Sequence, residues 1–387
     1  MKLRHLLAIA ALLAVFTLSL TTPLRAASDE KEEVAAKEQA KRAEALYAKG
    51  NYAGAEKEFR AVLAVCERMV GAEHPDALGF RQYVALALHG QGKHGEAEKE
   101  FRALLKLQER VLGAEDSSTL WGRAALACVL RDQGKYAEAE KEFRAVLKLQ
   151  ERLLGVEHPE SLATRGGLAI VLQIQGKYAD AEREHRARIK VEDRVLGAEH
   201  PDTLKGRGAL AAALLSQGKN VEAEREFRAV LKLQERLFGA EHPETLKSWG
   251  NLAIALSDQG KHAEAEQEHR TVLKVTERVL GAKHADTLIC RNNLAEAVQA
   301  QGKWAEMAVE HRAVLALREE VLGPKHPDVF ESCYNLGLCL KEQKKFPEAL
   351  AMAKRADQGR VGALGAEHPD TKKAVKLREA IEAAMKK

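Results

Sequence analysis

Residues 113–155 read GAEDSSTLWGRAALACVLRDQGKYAEAEKEFRAVLKLQERLLG. Gly134 divides this stretch in half, and Gly113 and Gly155 bound it. The first half predicts a helix from a few residues past Gly113 to about Gln133, and the second a helix from the Gly134-Lys135-Tyr136 turn to about Leu154. The apolar residues Ala139, Phe143, Val146, Leu147 and Leu153 fall at spacings of three, four and seven, which puts them on one helical stripe. Moving outward, the same punctuation returns every 42 residues. One series is Gly50, Gly92, Gly134, Gly176, Gly218, Gly260 and Gly302, with Lys344 at the eighth place. The other is Gly71, Gly113, Gly155, Gly197, Gly239, Gly281, Gly323 and Gly365. A fixed period of this length means a solenoid, so the expected fold class is all-α, about eight antiparallel helix pairs stacked in sequence.

Most units open on His-Pro-Asp or His-Pro-Glu, as at His74, His158, His200, His242, His326 and His368. Proline suits the first helical position, and the acid after it favours the positive end of the helix dipole. Asp116-Ser117-Ser118 replaces the motif in one unit with residues that also cap, and His284-Ala285-Asp286 varies it in another. First helices are therefore expected near Val34, Pro75, Ser117, Pro159, Pro201, Pro243, Ala285 and Pro327. The small Ala139 recurs as Ala55, Ala97, Ala181, Ala223 and Ala265, which lets paired helices approach. The glycine closing each second helix is expected as a left-handed cap. A last helix near Pro369–Met385, apolar along Ala374, Leu377, Ile381 and Ala384, reads as a terminal cap.

Residues 1–26 set a basic start (Lys2, Arg4) before an apolar run from Leu6 to Leu20, then Pro23 and the small Ala26 and Ala27. That is the layout of a secretory signal peptide, the run being short of the ~20 residues a membrane span needs. The expected division is residues 1–26 as signal peptide, 27–368 as solenoid and 369–387 as capping helix, in an exported, periplasmic or secreted protein. The stretch 1–26 also holds three of the chain's 61 basic residues and no acid. The remainder carries 58 basic against 57 acidic side chains, interleaved within helices as in AEAEKEFR, so no nucleic-acid footprint is expected. Five cysteines, Cys66, Cys128, Cys290, Cys333 and Cys339, make no paired framework and read as buried thiols.

The recurring string GAEHPDTL…NLA…QGKYAEAEKEFRAVLKLQERLLG resembles the tetratricopeptide repeat in its 42-residue, kinesin light chain-like form, over about residues 33–387. The resemblance implies a right-handed superhelix whose first helices line a concave groove and bind protein. It also implies that asparagines of the first helix hold the backbone of an extended peptide, the amide serving as donor and acceptor. The matching residues are Asn251, Asn292, Asn293 and Asn335, with Tyr334, Gln299 and Trp121 on the same face. The places equivalent to Asn251 in earlier units hold Tyr83, Ala125, Gly167 and Ala209. A two-part groove follows: small and apolar through Trp121, Ala124, Cys128, Ala163, Gly166 and Ile170, and asparagine-bearing later. Small residues serving only tight packing would give the same pattern.

No catalytic motif appears, so no enzyme and no cofactor are expected. The repeated histidines sit one per layer, too far apart for one metal ion, and the His262 and His269 pair is not a site by itself. Arg81, Arg123, Arg165, Arg207 and Arg291 share one register, interrupted by Trp249 and Cys333, and call for carboxylate partners such as Glu140 and Glu142. The expected partner is a protein segment. Self-assembly through the near-identical LKLQER units is the alternative.

Overall fold

The computed structural model describes residues 27–365 and 368–386. The signal-peptide stretch 1–26 lies outside them. The chain divides into two compact units, residues 1–195 and 196–387. Among the described residues both are wholly helical, built as consecutive antiparallel pairs.

The N-terminal unit holds α1 (Ala27–Ala48), α2 (Tyr52–Val70), α3 (Pro75–Gly90), α4 (His94–Val111), α5 (Ser117–Asp132), α6 (Tyr136–Leu153), α7 (Pro159–Ile174) and α8 (Tyr178–Val195). The C-terminal unit holds α9 (Pro201–Ser216), α10 (Asn220–Phe238), α11 (Pro243–Ser257), α12 (His262–Leu280), α13 (Ala285–Gln299), α14 (Trp304–Leu322), α15 (Pro327–Glu342), α16 (Phe346–Leu364) and α17 (Pro369–Met385). Odd-numbered helices up to α15 are the first of each pair. Seven of the eight expected first-helix starts match. The exception is α1, which begins by Ala27 rather than near Val34, because the intervening Ser28–Glu33 contains strong helix formers and no breaker.

The helix starts show why histidine precedes proline. The Nδ1 atoms of His74, His158, His200, His242, His284, His326 and His368 each accept the backbone N–H two residues on, at 3.2–3.3 Å. Histidine is thus the N-cap acceptor, and where it is missing Asp116 does the same for Ser118 at 2.8 Å. The helix ends differ from expectation. Gly239 closes α10 at φ 89°, ψ 160°, an extended positive-φ conformation that only glycine adopts readily, rather than the left-handed helical cap. In the other series Lys344 takes φ 59° where its counterparts are glycine, a strained position for a side-chain-bearing residue.

The second helices carry the core. Phe59, Phe101, Phe143 and Phe227 share one register and are buried, and the recurring alanines from Ala55 to Ala265 are sealed. One core runs through the N-terminal unit from Ala40 to Ala181, and another through the C-terminal unit from Leu273 to Ile381. The end helices bury one stripe each: Ala36, Ala40 and Ala43 on α1, and Ala374, Leu377 and Ile381 on α17. Cys66, Cys333 and Cys339 are buried and Cys128 and Cys290 half-buried, all as free thiols. Burial pushes the Cys66 and Cys339 thiols up to about 12.

Three ion-pair ladders tie the stack. In the first, Arg165 of α7 bridges Glu151 of α6 and Glu184 of α8, and Arg291 of α13 bridges Glu277 of α12 and Glu310 of α14. Arg123 pairs with Glu142, whereas Glu140 is committed elsewhere. Where the ladder is interrupted, the Trp249 indole N–H donates to Glu268 at 2.5 Å. In the second ladder the turn of one pair grips the second helix before it. Gln259 Nε2 donates to the Asn220 carbonyl at 3.2 Å and to Glu224 at 2.8 Å, while Lys261 reaches the same carboxylate at 2.8 Å. Gln133 and Lys135 grip α4 the same way through the His94 carbonyl and Glu98, and Lys177 takes Glu140 at 2.7 Å. The lysine ammonium holds the Glu98 and Glu224 carboxyls down to about 2. The third ladder joins the last turn of a second helix to the loop opening its own pair, as in Arg152–Glu115, Arg236–Glu199 and Arg278–Glu241. One rung is reversed in sign, Lys283 with Glu320 at 2.5 Å.

Candidate binding face on the first helices

In the C-terminal unit, Asn251, Asn293 and Asn335 occupy one register on the successive first helices α11, α13 and α15. All three are half-buried, and among the described residues none of their side-chain amides holds a hydrogen bond. In the N-terminal unit the same register lies against the preceding second helix. Tyr83 stacks on Phe59 there, ring centroids 5.3 Å apart, and a Cβ on Gly167 would stand 2.7 Å from the Phe143 ring. Tyr and Gly fill or vacate that seam, while asparagine leaves a polar group in it.

Asn292 is one residue along, in the register that holds Tyr334 on α15. The Tyr334 ring lies under the Arg360 guanidinium, 4.8 Å from its centroid, and Arg360 in turn donates to the Asp370 carbonyl at 2.9 Å. Gln299 closes α13, half-buried. Trp121 belongs to the other unit, on α5, where it packs against the core of the N-terminal unit. The structure therefore brings the asparagines, Gln299 and Tyr334 onto successive first helices of one unit and leaves Trp121 on the other.

The two units differ in what this face exposes. On α7 it shows Ala163, Ile170 and Ile174 to solvent. On α11, α13 and α15 it shows Lys247, Glu296 and Glu331 beside the exposed Ile289, with Asp258 exposed just past the end of α11. Partial burial of its carboxyl against the helix face, with the charges of Glu331 and Asp258 nearby, raises Glu296 above the usual carboxylate range. Ile254 and Leu338 are half-buried between these polar residues.

Among the described residues no group of three or more His, Cys, Asp or Glu side chains is placed to hold a metal ion. His262 approaches the Ser257 hydroxyl at 3.5 Å, and His269 lies in the core, so that pair does not converge. His185, His269 and His311 take the register of the buried phenylalanines. Among the described residues, neither ring nitrogen of His185 or His311 has a hydrogen-bond partner. Burial lowers all three imidazoles to about 4, so they are neutral near pH 7. Periodicity marks these places as core, and the sequence puts histidine at three of them; of these only His269 enters the sequence reading, in its pair with His262.

The family model described as tetratricopeptide repeat matches residues 80–144, 123–191, 202–270, 245–311 and 294–356, and a second of the same description matches 41–76. No curated protein matches the chain. Among solved structures, a putative kinesin light chain with nearly identical TPR-like repeats from Podosopora anserina is 27% identical. It covers 53% of this chain and 98% of its own, with a TM-score of 0.48. BtubC (BKLC) from P. vanneervenii is 23% identical over 61% of this chain and 92% of its own, TM-score 0.50. A Rap protein complexed with competence and sporulation factor is 12% identical over 92% of this chain and 99% of its own, TM-score 0.55. The last two share the fold. Such repeats are in general protein-interaction modules without catalysis, and by its family matches over most of its length this chain belongs to the tetratricopeptide repeat family.

Proposed function

We propose that this chain is an exported scaffold that binds an extended protein segment along the face of its first helices. The observation that carries the reading is the column of Asn251, Asn293 and Asn335, half-buried amides with no hydrogen bond among the described residues. A polar group held in a seam costs stability unless something pairs with it. An amide that both donates and accepts matches the N–H and C=O of an extended backbone. The similarly folded Rap protein, complexed with competence and sporulation factor, supports reading this fold as one that holds a binding partner. A peptide bound by the full chain should lose about tenfold in affinity with Asn293→Ala plus Asn335→Ala, about the value of one or two hydrogen bonds. Unchanged binding would sink the reading.

Export rests on the layout of residues 1–26. A reporter active only outside the cytoplasm, fused after residue 40, tests it, and the N-terminal sequence of the exported product tests cleavage near Ala26. Self-assembly is the competing reading. The single apolar stripe buried by α1 and by α17 speaks against end-to-end stacking, and light scattering of the purified chain separates the two.

A further inference from the structure

We infer that Arg188 anchors a carboxylate of a protein segment bound on the first-helix face of the N-terminal unit itself; this rests on the reading above of first-helix faces as segment-binding surfaces. Arg188 lies on α8 in a core register. Its counterparts are Val62, Leu104, Val146, Val230, Val272 and Val314, each at most 1% exposed. An arginine in such a place needs room and a partner, and the sequence supplies both. Across from it on α7 stands Gly166, where even a Cβ would come within 2.5 Å of the Arg188 Nη1. One turn further on α8, Glu192 replaces the glutamine found as Gln108, Gln150 and Gln234 and is fully buried.

The ion pair fixes which edge of the guanidinium is left over. Nε and Nη2 both lie 2.9 Å from Glu192 Oε1. Nη1, over Gly166, holds no hydrogen bond among the described residues and is not sealed from solvent. Ala163 and Ile170, a turn to either side on α7, are exposed. The result is an oriented N–H₂ edge set into an apolar surface.

Stability does not explain this arrangement. A buried ion pair is at best about neutral against well-packed aliphatics, and the neighbouring layers do without one. What the pair adds is a preorganised cation with free donors. A guanidinium edge favours carboxylate, and the surrounding Ala163 and Ile170 favour an apolar neighbour beside it. His185, one turn earlier on the same helix, is neutral and adds no competing charge. The expected ligand is a segment bearing Asp, Glu or a free C-terminus next to an aliphatic residue.

A random decapeptide library, made with free and with amidated C-termini, selected on the full chain tests this. Selected peptides should carry an Asp or Glu beside an aliphatic residue in both sets. Enrichment only in the free-terminus set would assign the carboxylate to the chain end instead. Changing that acid to its amide should weaken binding about tenfold, as for one charge-assisted hydrogen bond. Arg188→Val with Glu192→Gln restores the residues of α6 (Val146 and Gln150), so the variant keeps its fold while the acid preference disappears. An acid preference that is absent, or that survives in this variant, overturns the anchor. If peptides cross-link to the first helices without acid preference, segment binding stands and the anchor alone fails. If none cross-links to the first helices, segment binding fails as well.

Discussion

Mild acid should loosen this protein through three core histidines. His185, His269 and His311 are each at most 2% exposed, and their imidazoles titrate near 4 in the fold against 6.5 in the free side chain. The folded value is depressed for a base, so the unfolded chain binds more protons between those two values. Stability therefore falls as pH drops below 6.5 and stops falling below about 4. Per histidine the loss is about 0.2 kcal/mol at pH 7 and about 2 kcal/mol at pH 5. In a stack of repeats this adds up over the layers that unfold together. The matching perturbation is His185→Phe, His269→Phe and His311→Phe, which installs the residue that Phe59, Phe101, Phe143 and Phe227 show to fit that register. Urea unfolding followed by circular dichroism at pH 7 and pH 5 should give the natural chain a steeper loss, by about 2 kcal/mol for each histidine layer in the unfolding unit. The triple variant should also be more stable at pH 7, because the buried, unpaired ring nitrogens of His185 and His311 cost about 1–3 kcal/mol each. An equal pH dependence in the two proteins would refute the reasoning.

The reversed rung predicts a compensated swap. Lys283→Glu should cost up to about 1 kcal/mol by facing Glu320 with a like charge, and adding Glu320→Arg should restore it; a double-mutant cycle with no coupling would refute the pairing. Lys344→Gly should raise stability by about 1 kcal/mol, read as a higher urea midpoint, since φ 59° strains a lysine. Arg165→Leu should lose about 2 kcal/mol, leaving Glu151 and Glu184 facing each other without their cation. Full stability in that variant would argue against structural pairing.

The helix pairs were legible in the sequence because the residues that build them repeat. Pro201 and Pro243 start helices where the motif places them, and Ala139 is sealed where a small residue was expected. What periodicity did not reveal was the reach of polar side chains. Gly134-Lys135 read as a turn, but Gln133 and Lys135 extend back to the preceding helix, a distance set by how the pairs stack and not by local spacing. Glu140 looked available to the arginine ladder, yet Arg144 and Lys177 hold it. The histidine caps were hidden behind their prolines. On the candidate face, the asparagine column followed from register alone, whereas Arg188 did not. It sits on a second helix, on the side the repeat assigns to the core, and its Nη1 occupies the space that a Cβ at Gly166 would take.

The turn grip has a direction. Gln259 and Lys261 bind α10, and Gln133 and Lys135 bind α4, so in each case the later-made segment closes on one already made. During synthesis, each new turn emerges to find its carboxylate and carbonyl waiting, and assembly proceeds like a ratchet from the N-terminus. Removing pairs from the C-terminal end leaves behind a glutamate and a helix-start carbonyl, both of which water solvates well. Removing them from the N-terminal end strips a surviving turn of both its acceptors. The stack should therefore tolerate shortening at its tail better than at its head.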